Sequence, residues 1–141
     1  MKIIQLSIFL ENKPGHLNNI CSVLADNDIN IRALSLAEST DFGVLRLIVD
    51  DSQKARDILK QHNIIASLTE IVAVEIDDSP GSLAKVLDVL SENDVNVEYM
   101  TAFLEKKKDM ALVTMRFDDP DSAIKVLTDN GIKIVKSVDI L

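Results

Sequence analysis

Two stretches of this chain say the same thing at a constant offset of 66 residues. Glu11-Asn12-Lys13-Pro14-Gly15-His16-Leu17 is echoed by Asp77-Asp78-Ser79-Pro80-Gly81-Ser82-Leu83. Each is followed by a second shared phrase, Leu24-Ala25-Asp26-Asn27-Asp28-Ile29-Asn30-Ile31 and then Leu90-Ser91-Glu92-Asn93-Asp94-Val95-Asn96-Val97. The chain is therefore a tandem repeat. Whatever it folds into must close within half of its 141 residues, twice. Each copy is near the lower limit for an independent core, so the copies are expected to pack on each other or on a second chain.

The hydropathy pattern gives each copy the same order of elements. Residues 3–10 alternate, with Leu6, Ile8 and Leu10 on one face, which reads as a half-buried strand. Pro14-Gly15 breaks it, since proline fixes φ and lacks an N–H while glycine turns without a Cβ. From Gly15 to about Asn27, Leu17, Ile20, Cys21, Val23 and Leu24 recur at helical spacing and form one buried stripe. Residues 29–37 and 43–49 alternate around a turn at Ser39-Thr40-Asp41 and make a hairpin. Asp50-Asp51-Ser52 opens a second helix that buries Ala55, Ile58 and Leu59 and runs to about Gln61. Ile65 to Ile76 is one strand-like run, so the last strand of copy one and the first of copy two abut or merge and couple the domains rigidly.

The second copy repeats the series. Its first helix carries Leu83, Val86, Leu87, Val89 and Leu90, and its hairpin is 95–104 with 110–117. Pro120, behind Asp118-Asp119, starts a helix burying Ala123, Val126 and Leu127. Asn130-Gly131 stops it, and residues 132–141 form the last strand. Past the hairpin turn the offset is 68, because that turn holds two extra residues. Two β-α-β-β-α-β units over 1–70 and 71–141 follow. Each is an antiparallel four-stranded sheet in the order 4-1-3-2, with both helices on one face.

Composition excludes several functions. The content is 47% hydrophobic with only 4% aromatic and a mean hydropathy of +0.15, so the core is Ile, Leu, Val and Ala, with apolar surface to spare for self-association. A net charge of −8 and a pI near 4.6 leave no basic stripe for nucleic acid. The one basic run, Lys106-Lys107-Lys108, is bracketed by Glu105 and Asp109 and reads as a hairpin tip. No apolar run long enough for a membrane span and no leader pattern are present, and a cytoplasmic chain without membrane contact is expected. The single Cys21 builds no disulfide or cysteine metal framework within one chain and reads as a small core residue.

Chemistry is equally restricted. His16 and His62 have no partner at metal-ligand spacing, and the second copy has no histidine, so neither a metal site nor a catalytic triad is expected. The acidic pairs Asp50-Asp51, Asp77-Asp78 and Asp118-Asp119 sit at strand ends and helix starts, where capping explains them. No phosphate loop and no cofactor motif occur. The loop at 12–17 is different. It leads from a strand into a helix N-terminus, so the N–H groups of Gly15, His16 and Leu17 can receive a carboxylate. The Asn12 amide both donates and accepts. Such a kit suits a zwitterion; it is equally a capped turn with two solvated asparagines, Asn12 and Asn30.

The element order, the strand–Asn-x-Pro-Gly–helix join and the later Asn-Ile resemble the ACT domain, a family of small ferredoxin-like regulatory modules that bind amino acids. The resemblance covers the whole chain as two copies and is nearest to stand-alone prokaryotic tandem-ACT proteins. It implies a non-catalytic, cofactor-free sensor of a free amino acid, acting allosterically on a partner enzyme or transporter, as a homodimer or higher homo-oligomer. It also implies a ligand site built from Leu10, Asn12, Pro14, Gly15, His16 and Leu17, with Asn30 and Ile31 supplied from across a domain interface. In serine-sensing members a histidine stands where this chain has Leu10, so the resemblance does not point to serine. In copy two the site would comprise Asp78, Gly81, Ser82, Leu83 and Asn96. There Asp78 replaces the loop asparagine and would repel a ligand carboxylate, so that site is expected to be weaker or altered. The other family role is a regulatory or assembly subunit of a biosynthetic enzyme, like the small subunit of acetolactate synthase, without a ligand of its own.

Overall fold

The computed structural model describes residues 2–38, 41–105 and 109–136. Its elements are β1 (Ile3–Glu11), α1 (His16–Asp26), β2 (Ile31–Glu38), β3 (Phe42–Val49), α2 (Ser52–Gln61) and β4 (Ala66–Asp77). They continue with α3 (Ser82–Glu92), β5 (Val97–Glu105), β6 (Met110–Phe117), α4 (Pro120–Asp129) and β7 (Lys133–Val135). This is β-α-β-β-α-β twice, with β4 a single strand serving both copies. The strand orders are β4-β1-β3-β2 and β7-β4-β6-β5, each the 4-1-3-2 arrangement. The chain divides inside β4 into two compact units. Ile4–Thr69 forms one, and residues 70–136, with Lys2 and Ile3, form the other.

Alternation decides which side of each sheet meets its helices. In the first unit Leu6 pairs with Leu47 and Ile8 with Leu45, and all four are buried. The stripe Ile20, Val23 and Leu24 of α1 joins Ala55 and Leu59 of α2 over that face. In the second unit Val72, Val74, Val113, Met115 and Phe117 meet Val86 and Leu90 of α3 and Ala123 and Leu127 of α4. Burying a Leu or Ile side chain is worth about 1.5–3 kcal/mol, so these faces supply most of the stabilisation. The stripe of α1 stops a turn short of expectation. Leu17 is 37% exposed, because it lies in the first turn, at the loop end of the helix. Cys21 flanks the stripe and is only half-buried, not a core residue.

All four helices end alike. The residue after each C-cap takes a left-handed conformation: Asp28 (φ 57°), Asn63 (61°), Asp94 (55°) and Gly131 (73°). The N–H of the following residue then returns to the last turn, as from Ile29 to Leu24 O at 3.0 Å and from Val95 to Leu90 O at 2.9 Å. The side-chain amides of Asn27, Asn93 and Asn130 each donate to a carbonyl one turn back at 2.8 Å. Much of the second shared phrase is therefore a helix stop.

β7 spans only Lys133–Val135; of the strand expected over 132–141, Ile132 and Lys136 are not strand, and residues 137–141 lie outside the described residues. The Lys106-Lys107-Lys108 tip and the Ser39-Thr40 turn are outside them too. At the N-terminus Lys2 Nζ meets Glu70 at 3.0 Å and Asp121 at 3.2 Å, and hydrogen bonds to those carboxylates raise its pKa. No helix among the described residues is long and apolar enough to cross a membrane.

Candidate functional site

The four helix N-termini fall into two kinds. At α2 the Asp51 carboxylate accepts the Lys54 N–H at 3.0 Å, and at α4 Asp119 accepts the Ser122 N–H at 3.3 Å and its hydroxyl at 2.7 Å. Those two bonds from Ser122 hold the Asp119 carboxyl below its usual pKa. At α1 and α3 the N-cap is a glycine in the left-handed region, Gly15 (φ 90°) and Gly81 (φ 88°), with no side-chain cap. A Cβ built on either glycine meets nothing within 4 Å, so glycine is needed there for its φ, and the space in front is open.

The first bond inside α1 runs from the Asn19 N–H to Gly15 O at 2.9 Å, leaving the earlier N–H groups ahead of it. In α3 the first of these is partly spent, since the Ser82 N–H donates to Ser79 O at 3.2 Å and the two hydroxyls lie 2.8 Å apart. The His16 N–H makes no equivalent bond among the described residues. Asn12 and Pro14 are exposed beside it. The carboxylate of Glu11 meets Lys13 Nζ at 3.1 Å.

A cleft of about 650 Å³ opens at this end of the first unit. Phe9, Leu10 and Glu11 of β1 bound it, with His16 and Asn19 of α1 and Phe42 at the start of β3. Its far wall is the α2–β4 connection, His62, Asn63, Ile64 and Ile65, with Ser67 of β4. Sequence reasoning placed Leu10 and His16 here but missed the far wall, and it treated the two histidines as isolated. The signal was available in outline: in a 4-1-3-2 sheet strand four neighbours strand one, so the turn entering it lies near the first loop. Among the described residues, no group of three or more His, Cys, Asp or Glu side chains is placed to hold a metal.

Asn30 and Ile31 are not part of this end. The Asn30 N–H donates to Asp50 Oδ1 and its carbonyl accepts the Asp50 N–H, both at 3.2 Å, just beyond the Val49 end of β3. The loop touches the other end, where the Asn12 N–H donates to Asp41 O at 2.9 Å. At about 3.4 Å per residue the strand between them spans roughly 25 Å. Asn12 and Asn30 of one unit therefore cannot hold one amino acid together. In copy two, Asp78, Gly81, Ser82 and Leu83 are likewise at the loop end. Asn96 instead lines a separate cleft of about 430 Å³ with Leu87, Leu90, Ser91 and Asp94.

The model of the ACT domain pair matches residues 1–141. The chain belongs to the ACT domain pair family. A crystal structure of a Bacteroides thetaiotaomicron protein is 41% identical to this ACT pair, with a TM-score of 0.91 over 99% of this chain and 95% of that one. The ligand-free regulatory subunit of aspartate kinase from Thermus thermophilus shares the fold at 16% identity, with a TM-score of 0.63 over 89% and 91%. Escherichia coli aspartokinase III in complex with lysine and aspartate shares it at 16% identity and a TM-score of 0.54, over 91% of this chain and 31% of that one. No protein of curated function matches.

Proposed function

We propose that this ACT pair is a non-catalytic sensor that binds a free amino acid at the first-copy loop and reports it, allosterically, to a partner enzyme or transporter. The observation that carries the reading is the contrast between helix starts. α2 and α4 close theirs with Asp51 and Asp119, while α1 begins at Gly15 with no side-chain cap, beside an exposed Asn12. A carboxylate on such a terminus gains about 0.3–2 kcal/mol from the helix dipole. The Asn12 amide would complete the grip on the zwitterion. Asn30 and Ile31 of another ACT domain, brought by a second copy of the chain, would finish the site. In copy two Asp78 stands for Asn12 and the first N–H of α3 is engaged, so that loop binds more weakly. The test is equilibrium binding of free amino acids to the purified chain. Saturable binding supports the sensor.

A second reading, an assembly subunit of a biosynthetic enzyme, draws support from apolar surface on the edge strands. Leu34 and Leu36 of β2 and Met100 and Leu104 of β5 are exposed. That reading predicts no binding of any amino acid and co-purification of an enzyme. A catalytic role is not proposed, since Asp51 and Asp119 are spent on helix caps.

A further inference from the structure

The second copy closes a place that the first leaves open. Glu75 of β4 and Lys133 of β7 stand opposite each other in the ladder and form an ion pair at 2.9 Å, with the Glu75 side chain only 10% exposed. The repeat puts Phe9 and Ile65 at the same two positions of copy one, and they are 75% and 84% exposed. Both line the cleft of about 650 Å³ that begins at His16, in the first turn of α1. Where one copy satisfies two polar side chains with each other, its sibling holds two large apolar groups against water, next to a concave surface of ligand-binding size.

We infer that this cleft is the side-chain subsite of the first-copy site and that the ligand is an amino acid with a large apolar side chain, branched aliphatic or aromatic. The inference rests on the sensor reading. A carboxylate held at the start of α1 sets the ligand's Cα beside His16, and the side chain then has the cleft before it. Of its lining, Ile8 and Ile20 lie on the helix side of the sheet and are buried and apolar. Phe9 and Phe42 alternate to the other side of the strand end and, with Ile65, are exposed apolar surface that a long side chain reaching along the cleft would cover. No lysine or arginine is among the described residues lining it, so an acidic side chain finds no counter-charge. The one carboxylate, Glu11, already pairs with Lys13, so a basic side chain finds little either. A serine-sized side chain would leave the walls wet.

Calorimetric titration with glycine, alanine, serine, aspartate, lysine, valine, leucine and phenylalanine tests this. Each buried methylene is worth about fourfold in affinity, so leucine or phenylalanine should bind at least roughly tenfold more tightly than alanine. Ile65→Ser, at an exposed position that leaves the core untouched, should weaken leucine several-fold and leave alanine unchanged. Phe9→Glu with Ile65→Lys, which copies the Glu75–Lys133 pair into the first unit, should abolish the preference for leucine over alanine. Tightest binding by serine, aspartate or lysine overturns the inference while the sensor reading stands, and so does an Ile65→Ser variant that binds leucine like the parent. No binding by any amino acid overturns both.

Discussion

The backbone N–H of Asn12 donates to the carbonyl of Asp41 at 2.9 Å, and the repeat reproduces the bond between Asp78 and Asp109 at the same distance. The loop is thus pinned to the hairpin turn through the main chain, whichever side chain stands there. The side chain at this position is therefore not what holds the loop, and the proposed site gives the Asn12 amide to the ligand. Asn12→Ala should keep the parent's melting temperature and lose about 1–3 kcal/mol of amino-acid affinity, the cost of an unmade hydrogen bond to a charged group. Titration calorimetry reads the affinity; an unchanged dissociation constant would move the site away from this residue.

Gly15 and Gly81 should be costly to replace for a backbone reason alone. An L-residue at their φ costs about 1–2 kcal/mol, and the added methyl meets no atom that would increase the penalty. Gly15→Ala and Gly81→Ala should therefore lower the urea midpoint by similar amounts, with the denaturant slope unchanged. Equal or greater stability than the parent would contradict the left-handed assignment.

The Asp119 cap predicts an acid limb in the stability profile. Hydrogen bonds from the Ser122 hydroxyl and N–H lower its folded pKa below the usual aspartate value, so the unfolded chain takes up the proton first. This contribution is present above the unfolded pKa and is lost as pH falls through the folded one. Urea titrations from about pH 7 downward should show Ser122→Ala less stable than the parent near neutrality and the gap narrowing in acid. A gap that widens in acid would reverse the sign and exclude the cap as its source.

Exposed apolar side chains on the edge strands predict self-association. Leu34 and Leu36 on β2 and Met100 and Leu104 on β5 occupy edges that no further strand among the described residues covers. Light scattering at micromolar concentration should give at least a dimer mass. Leu34→Lys with Leu36→Lys should lower it; a monomer mass for the parent would refute the prediction.

Much of the fold is legible in the sequence because repetition and periodicity reinforce each other. Leu6 and Ile8 announce one face of β1, and Ile20, Val23 and Leu24 announce the stripe of α1, each pattern being seen twice. Caps are legible as well: Asp51 and Asp119 stand where acceptors are needed. Less legible is how far a stripe stays covered, as Leu17 shows, since periodicity gives a face but not where packing ends. Asn27 marks a helix end in the sequence, and the structure adds how it does so: its amide, like that of Asn93, donates to a carbonyl one turn back. The cleft's far wall at His62–Ile65 was missed because it is assembled by topology from residues about fifty positions from the loop. Position in the repeat held the missing clue, Phe9 and Ile65 against Glu75 and Lys133, which gains meaning only once the ladder shows those two in contact.

The most direct test of the central claim is thermal melting of the purified chain against each amino acid in turn. A ligand at about 100 times its dissociation constant stabilises the folded state by roughly 2.7 kcal/mol, a rise of several degrees for a chain of this size. The sensor account predicts such a rise for a small set of related amino acids and its loss in Asn12→Ala. Identical melting across the whole panel would contradict it.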